Sequence, residues 1–366
     1  MIEATHLTKQ YGNANALFDV NFSIDKGEVV GFLGPNGAGK STTMNLLCGY
    51  LTPSWGQVKI AGIDMVENPL EAKRHIGYLP EIPPLYMDMT VAEQLEFACE
   101  LRGLKLKKPQ LRDYIDSLCA RTQVLDTRDR LIRNLSKGYR QRVSVTQLFV
   151  GEPEILILDE PTSYLDMHYK LEILQSIRNM VKEENLAVVM SLHELDLAQK
   201  VSDLVACVDG ETIAKIGRPE EIFCGDTIAC LYGVSSQAYD VVSGSMFLQK
   251  AKGEPKVFVI GGGGSGIAAY YTLQRDQIPF AAGILSEGDV EYKAARVRAS
   301  ARVTTPGFYP IEIRHMAQAR KWIDDCDYCI CTLDAFGPLN QANKELLSYA
   351  KEQGKWIREG EKPWQK

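Results

Sequence analysis

The sequence of 366 residues has no run of about 18 uncharged apolar residues, which is the length needed to cross a bilayer. Its N-terminal segment, MIEATHLTKQ, lacks the apolar core of a secretory signal peptide. We therefore expect a cytoplasmic protein that reaches a membrane only through a partner. The chain also lacks low-complexity tracts and repeats of solenoid period, which excludes fibrous and repeat architectures.

Basic residues are not in excess, because 41 Lys and Arg residues against 47 Asp and Glu residues give a net charge of -6. An extended contact with a nucleic-acid phosphate backbone requires an excess of basic residues, so nucleic acid is not an expected partner. Nine cysteines without a secretion signal favour reduced core thiols over a disulfide framework. Cys326, Cys329 and Cys331 occupy a strand-like run with no His-rich segment nearby, and we interpret them as core thiols rather than a metal or redox cluster.

What the sequence does contain is an alternation of apolar strand-like runs and amphipathic helical patterns, within a first domain over residues 1–222. This alternation is typical of a parallel sheet flanked by helices, an α/β fold. Residues 90–147 carry helical patterns and almost no strand-like run, which predicts an inserted helical subdomain. Residues 223–254 have the composition of a linker. A fresh alternation over residues 255–366 predicts a smaller Rossmann-like α/β domain.

A strand-like run, a glycine-rich loop and a helical pattern follow one another in VVGFLGPNGAGKSTTMNLL. Glycines let successive backbone N–H groups turn toward phosphates, Lys40 adds a positive charge, and Ser41 offers a hydroxyl to Mg²⁺. The alternative, a glycine-rich turn before an ordinary helix, is disfavoured by this context. We therefore predict a site for ATP and Mg²⁺ that contains Gly34, Asn36, Gly37, Gly39, Lys40, Ser41 and Thr42.

Two adjacent carboxylates, Asp159 and Glu160, end the apolar strand-like run EILILDE. In a parallel sheet the tip of this strand lies at the same edge as the glycine-rich loop. Asp159 is then placed to hold Mg²⁺ through water, and Glu160 to polarise the attacking water. A solvated strand end is the alternative interpretation, and it carries little weight beside Lys40.

In these residues and in several further motifs, the sequence resembles the ATP-binding-cassette (ABC) family. LSKGYRQR, residues 135–142, is similar to the family signature, and SYLD, residues 163–166, is similar to its D-loop. His193 falls at the family's switch histidine, and Tyr11 falls where the family stacks an aromatic ring on adenine. The resemblance covers about residues 2–222. It implies a P-loop NTPase core that hydrolyses ATP.

Two positions depart from the family's usual pattern. Lys137 and Tyr139 replace a glycine and the glutamine of the common signature LSGGQ. Ser136 and Gly138 remain, and the resemblance implies that they hold the γ-phosphate of the opposite subunit in a head-to-tail homodimer. Glu81, in GYLPEIPPLY, takes the place of a Gln. A glutamate can still approach Mg²⁺ or the water, but it adds a charge.

The resemblance is divided between two branches of the family, with the change near Pro161. The segments GYLPE, LTPSWGQVKIAG and LSKGYRQRV resemble ATPases of drug and lipid efflux. SYLDMHYKLEIL, VVMSLHELDLAQKVSD and the C-terminal extension resemble ATPases of iron-chelate and cobalamin importers. Both branches imply an ATPase subunit that works with an integral-membrane permease at the inner face of the cell membrane.

Two other classes of function compete with a transport ATPase. A soluble cassette ATPase acting on DNA or ribosomes usually has two cassettes or a long coiled-coil insertion, and the sequence has neither. A non-catalytic regulator that binds ATP is disfavoured by the presence of Glu160 and His193.

A second glycine cluster lies in KVFVIGGGGSGIAAYYTL. It matches G-x-G-x-x-G at Gly261, Gly263 and Gly266, with the acidic Glu287 about 20 residues further on. The pattern predicts a second site for a nucleotide or another phosphate-bearing ligand. A ligand-free accessory domain is the alternative, since about 110 residues hold little more than one mononucleotide-binding half.

Overall fold

The computed structural model describes residues 1–365 except Tyr164, Gly225, residues 236–238, residues 241–244, Phe247 and Gln249. The described residues form two compact units. The first contains residues 1–235 and Ser245, and the second contains residues 239–240 and 246–365. In this described part of the chain, no helix is both long enough and apolar enough to cross a membrane.

Two sheets form the frame of the first unit. Five strands run parallel in the order β9-β3-β8-β7-β6, with β10 antiparallel at the edge beside β9, and an antiparallel sheet has the order β2-β1-β4-β5. The strands are β1 (Ile2–Tyr11), β2 (Ala14–Ile24), β3 (Val29–Leu33), β4 (Trp55–Ile60), β5 (Ile63–Asp64), β6 (Ile76–Leu79), β7 (Ile155–Leu158), β8 (Ala187–Ser191), β9 (Leu204–Asp209) and β10 (Thr212–Gly217).

The helices of the first unit include a group between β6 and β7. Over this fully described segment the chain forms α3, α4, α5 and two short 3₁₀ helices, and no strand. The helices are α1 (Lys40–Leu47), α2 (Pro69–Arg74), α3 (Val91–Leu101), α4 (Lys108–Arg121), α5 (Lys137–Leu148), α6 (Met167–Glu184), α7 (Leu195–Val201), α8 (Pro219–Ile222) and α9 (Thr227–Tyr232). Helix α9 lies inside the segment predicted as a linker, and its Ile228 and Leu231 are buried.

The register of the parallel sheet sets the position of the functional loops. All side chains of β3, β7 and β8 are buried, as expected for strands covered on both faces. Phe32 of β3 pairs with Ser191 of β8, and Leu158 of β7 pairs with Met190. The segments that follow these three strands therefore leave the sheet at one edge.

After α9 in the chain, β11 (Tyr239–Asp240) and β12 (Ser245–Met246) pair in a two-stranded sheet. The second unit is a parallel sheet in the order β15-β14-β13-β16-β17 with helices α10 to α13. Its elements are β13 (Val257–Ile260), α10 (Ile267–Arg275), β14 (Phe280–Ser286), α11 (Val290–Arg298), β15 (Ala301–Thr305), α12 (Ile313–Asp325), β16 (Tyr328–Cys331), α13 (Gln341–Glu352) and β17 (Trp356–Ile357), followed by a 3₁₀ turn at Pro363–Gln365.

Both faces of this second sheet are covered. Val257 and Val259 of β13 belong to one core cluster, and the alternate residues Phe258 and Ile260 belong to another. A doubly covered parallel sheet of this kind agrees with the Rossmann-like α/β architecture expected from the sequence.

Candidate functional site

The loop between β3 and α1 is shaped by close backbone contacts. A Cβ atom on Gly34 would lie 2.2 Å from the carbonyl oxygen of Val208, and one on Gly39 would lie 2.6 Å from that of Ala16. Gly39 has a φ of 96°, in the left-handed region that favours glycine, and so does Gly37, with a φ of 82°. The chain therefore requires glycine at these loop positions for steric reasons.

Lys40 begins α1 and is buried, with 6% of its surface exposed. Its Nζ donates to the carbonyl oxygens of Gly34 at 2.7 Å and Pro35 at 3.0 Å. Burial lowers the pKa of Lys40, although the charges of Glu160 and Asp159 act in the opposite direction. The ammonium group is thus held inside the loop. Nearby, Asn36 and Ser41 are exposed, and Thr42 is half-buried.

Asp159 follows β7 and connects the loop to the neighbouring strand. Its Oδ1 accepts from Ser41 Oγ at 3.3 Å and from Ser191 Oγ at 2.7 Å, whereas Oδ2 accepts none of the described hydrogen bonds. The same Ser191 hydroxyl accepts from the backbone N–H of Glu160 at 2.8 Å. Ser191, the last residue of β8, therefore fixes both adjacent acids, and it is not among the site residues predicted from the sequence.

Glu160 lies between two side-chain donors. Nε2 of His193 is hydrogen-bonded to Oε1, and Ser163 Oγ donates to Oε2 at 2.7 Å. Burial alone would raise the pKa of Glu160, but the hydrogen bonds from His193 and Ser163 outweigh that effect, and the pKa lies below its usual value. The charge of Lys40 acts in the same lowering direction. Glu160 also has a φ of 52°, a conformation uncommon for a residue other than glycine.

A second network holds the segment that carries His193. The carboxylate of the next residue, Glu194, accepts from Thr162 Oγ1 at 3.3 Å and pairs with Lys170 of α6. These contacts join the segment after β8 to the segment after β7. No sequence motif indicates the role of Glu194, because its partners come from other parts of the chain.

Two predicted site residues stand apart from this cluster. Tyr11 ends β1 with 52% of its surface exposed, and Lys9 Nζ lies 5.2 Å from the centre of its ring. Glu81 follows β6 and is exposed, with no hydrogen-bond or ion-pair partner among the described residues. The described contacts therefore unite Lys40, Ser41, Asp159, Glu160 and His193, but include neither Tyr11 nor Glu81.

The signature-like segment begins α5. Ser136 is exposed and caps the helix, because its Oγ accepts from the backbone N–H of Tyr139 at 3.3 Å. Gly138 is buried, and a Cβ atom there would lie 3.0 Å from the ring of Tyr169. Packing thus gives one reason for the glycine. The first turn of α5 still has backbone N–H groups without intrahelical acceptors.

The second glycine cluster is surrounded by carboxylates. The backbone N–H of Gly263 donates to Asp289 Oδ2 at 2.7 Å, and that of Gly266 donates to Glu291 Oε2 at 3.0 Å. A Cβ atom on Gly261 or Gly266 would lie 2.0 or 2.1 Å from Oε1 of Glu291. These glycines therefore make room for a buried acid, and two of the N–H groups expected to meet a phosphate already have acceptors.

Two further expectations concern the second unit. Glu287, the acid predicted to follow the glycine cluster, is exposed and makes none of these contacts, which come from Asp289 and Glu291 instead. Cys326 and Cys329 are buried, and burial raises the pKa of the Cys326 thiol to about 12. Within the described ranges, no group of three or more His, Cys, Asp or Glu side chains is arranged to hold a metal ion.

Comparison with known proteins places this geometry in a family. A family model described as ABC transporter matches residues 17–163, and one described as the MJ0874 family matches residues 280–361. The chain is 30% identical over 304 residues to the cobalamin import ATP-binding protein BtuD of Halobacterium salinarum, a match that covers 81% of this chain and 76% of that protein. The chain belongs to the ABC transporter ATP-binding proteins. The match to BtuD exceeds the length of the first unit, so it includes part of the second.

Similarity extends to both branches expected from the sequence. The chain is 34% identical over 222 residues to the probable multidrug ABC transporter ATP-binding protein YbhF of Escherichia coli, covering 61% of this chain and 38% of YbhF. Among solved structures, CbiO1 of Clostridium perfringens, part of the ABC transporter complex CbiONQ, has a TM-score of 0.57 at 28% identity and covers 63% of this chain and 92% of its own. The predicted family and fold class are confirmed.

This ABC ATPase is an ATP-binding and ATP-hydrolysing subunit of a transporter. Its relatives are named for import and for efflux, so the similarity favours neither direction. The soluble cassette acting on nucleic acid and the non-catalytic regulator are not favoured.

Proposed function

We propose that this ABC ATPase hydrolyses MgATP at the cluster of Lys40, Ser41, Asp159, Glu160 and His193. The contact between His193 and Glu160 carries the proposal, because hydrolysis requires a fixed group that accepts a proton from water. Glu160 has that geometry, and its lowered pKa keeps it ionised at neutral pH.

The residues present fit Mg²⁺. Ser41 Oγ and Asp159 Oδ1 lie 3.3 Å apart, and oxygen ligands are the ones this cation prefers. The Oδ2 atom of Asp159, which accepts none of the described hydrogen bonds, can take a water of the ion's shell. When bound, Mg²⁺ would neutralise negative charge on the phosphates. Glu81 would approach the same ion from the exposed loop after β6.

The remaining residues of the site have separate roles in this proposal. Lys40 would exchange its two carbonyl acceptors for phosphate oxygens, and the N–H groups of Gly37 and Gly39 would surround the phosphates. The exposed ring of Tyr11 would stack on adenine. His193 would orient Glu160 toward the attacking water.

A second copy of the chain is the proposed partner across the ATP. Ser136 is exposed at the N-terminus of α5, and the partial positive charge at the N-terminal end of a helix attracts phosphate. In a two-fold dimer each copy would lend Ser136 and Gly138 to the ATP held by Lys40 of the other.

The integral-membrane permease is the proposed second partner. A cavity of about 590 Å³ adjoins the Glu81 loop, and Tyr50 and Ile82, both 78% exposed, are among its lining residues. An exposed apolar surface at a cavity is suited to a protein contact. The helical subdomain, residues 90–147, would transmit the closing motion of the dimer to this surface. Binding to the permease would place the chain at the inner face of the cell membrane.

Size-exclusion chromatography with MgATP tests the proposed site. Glu160→Gln should bind ATP and accumulate as a dimer, because it removes the proton acceptor but leaves the phosphate contacts, whereas Lys40→Ala should stay monomeric. The rate of hydrolysis should fall about 100-fold or more with either change. A Glu160→Gln protein that hydrolyses ATP at the normal rate would refute the assigned role.

A further inference from the structure

The second unit contains a cavity of about 1180 Å³ at the carboxyl ends of its parallel strands. Its lining includes Gly262 after β13, Ser286 at the end of β14, Thr305 at the end of β15 and Leu333 after β16. The chain order reverses between β13 and β16, which lie side by side in the sheet. Open α/β sheets bind ligands at this kind of reversal, so the cavity lies where a ligand site is expected.

The glycine cluster at the cavity is not arranged to bind a phosphate. The N–H groups of Gly263 and Gly266 already donate to Asp289 and Glu291. Glu291 is fully buried and is also held by the hydroxyl of Tyr270 at 2.7 Å. An incoming phosphate would have to displace these carboxylates and would face their negative charge. The glycine cluster therefore disfavours a phosphate at this position.

Acceptor groups predominate in the walls. Asp289, Glu312 and Glu345 line the cavity against a single cationic lining residue, Arg320. A ligand that brings hydroxyl or amino groups matches these walls.

Apolar side chains surround the mouth of the same cavity. Phe308 is fully exposed, and Tyr309 and Leu339 are exposed to 66% and 95%. Phe308 also has a φ of 66°, a strained conformation for a bulky residue in a solvated turn. Strain and exposure together indicate that these aromatic rings are placed to contact a flat apolar group.

We propose that this cavity binds a nucleoside that lacks a phosphate group. Asp289, three residues beyond the second strand of the sheet, lies where Rossmann-type sites accept ribose hydroxyl groups. The ribose hydroxyls donate to Asp289, and the base packs against Phe308 and Tyr309. The ligand thus differs from ATP in charge, and the cavity is a second site on the chain.

Isothermal titration of the full-length protein tests this assignment. The probes are adenosine, guanosine, cytidine and uridine, each compared with its 5′-monophosphate, in wild-type and Lys40→Ala protein. We expect at least one nucleoside to bind one site per chain, equally in both proteins, and its monophosphate to bind at least about tenfold more weakly. Binding of no nucleoside at about 1 mM, or tighter binding of the monophosphate, would overturn the proposal.

Two variants locate the site, and a matched control accompanies them. Asp289→Asn keeps a side chain that can cap α11 and should weaken nucleoside binding about tenfold. Phe308→Ala changes a fully exposed side chain, so it tests the same cavity and should not destabilise the fold. Glu287→Gln removes an exposed acid outside the cavity lining and should leave binding unchanged. Unchanged binding in both Asp289→Asn and Phe308→Ala would also overturn the proposal.

Discussion

Nε2 of His193 is hydrogen-bonded to Oε1 of Glu160, and the other carboxylate oxygen of Glu160 accepts from Ser163. A carboxylate offers about four acceptor positions, so each oxygen keeps room for a water. The arrangement fixes the plane of the carboxylate without saturating it. If Glu160 is the proton acceptor, as proposed, its carboxylate is already oriented before a nucleotide binds.

The first prediction concerns acid pH. The folded protein lowers the pKa of Glu160 below its reference value of 4.5, so the ionised side chain stabilises the fold above that pH. This contribution is lost as the pH falls through the lowered pKa. Wild type should therefore be more stable than Glu160→Gln at pH 7 and lose this advantage only in the acid range. The urea midpoints of the two proteins, compared at pH 7 and again at pH 3.5, measure the effect.

Glu81→Gln is the matched control for this measurement, because it removes an exposed carboxylate that has no described partner. Its midpoint should follow that of wild type at every pH. A difference between wild type and Glu160→Gln that stays constant to the lowest pH would contradict the account of the contacts around Glu160.

The second prediction concerns Ser191. Ser191→Ala removes a donor to Asp159 and an acceptor for the N–H of Glu160, both buried or half-buried. The cost is about 1–3 kcal/mol of stability for the polar groups left without partners, with a loss of ATPase activity because both acids move. Thermal denaturation and steady-state hydrolysis measure the two effects.

Ser144→Ala provides the comparison for Ser191→Ala. Ser144 is also buried, but its hydroxyl donates to the carbonyl oxygen of Arg140 within α5. Such a bond duplicates what the helix supplies, so the change should cost little and leave hydrolysis intact. Equal effects of the two serine changes would show that Ser191 has no special role.

The sequence was sufficient to propose the parts of the ATP site that are local in the chain. A buried strand followed by a glycine-rich loop and Lys40 requires only neighbouring residues, and so does a strand that ends in Asp159 and Glu160. Ser191 and Glu194 could not be assigned in this way, because their roles arise from the pairing of β7 with β8 and from contacts with α6. A serine at the end of an apolar strand was the one available signal.

The second glycine cluster shows the limit of a motif. Gly261 and Gly266 satisfy G-x-G-x-x-G, yet the space they leave open is filled by Glu291, which lies on a helix about 25 residues away. A glycine needed for a buried acid and a glycine needed for a ligand look alike in the sequence. The three-dimensional position of Glu291 distinguishes them.

The third prediction uses this close contact. Gly266→Ala would place a Cβ atom 2.1 Å from Oε1 of Glu291, so the acid must move and lose its bonds with Tyr270 and Gly266. We expect a loss of about 1–3 kcal/mol in the stability of the second unit. Gly337→Ala, with no neighbour within 4 Å and no left-handed φ, should change the melting temperature little. The glycine-acid packing would be disproved if both variants melted alike.

The last prediction tests whether two copies share their ATP sites. In the proposed dimer, Ser136→Arg blocks the site formed with Lys40 of the partner, and Lys40→Ala disables its own site, so neither variant should hydrolyse ATP alone. When they are mixed in equal amounts, about half of the dimers are mixed, and each mixed dimer keeps one intact site of two. About one quarter of wild-type activity should therefore return, measured by phosphate release after exchange of subunits. The double variant Ser136→Arg/Lys40→Ala, mixed with Lys40→Ala alone, provides the control and should recover nothing, because no mixed dimer then contains an intact Lys40. If the signature acted within one chain, the first mixture would also stay inactive, which distinguishes a shared site from an independent one.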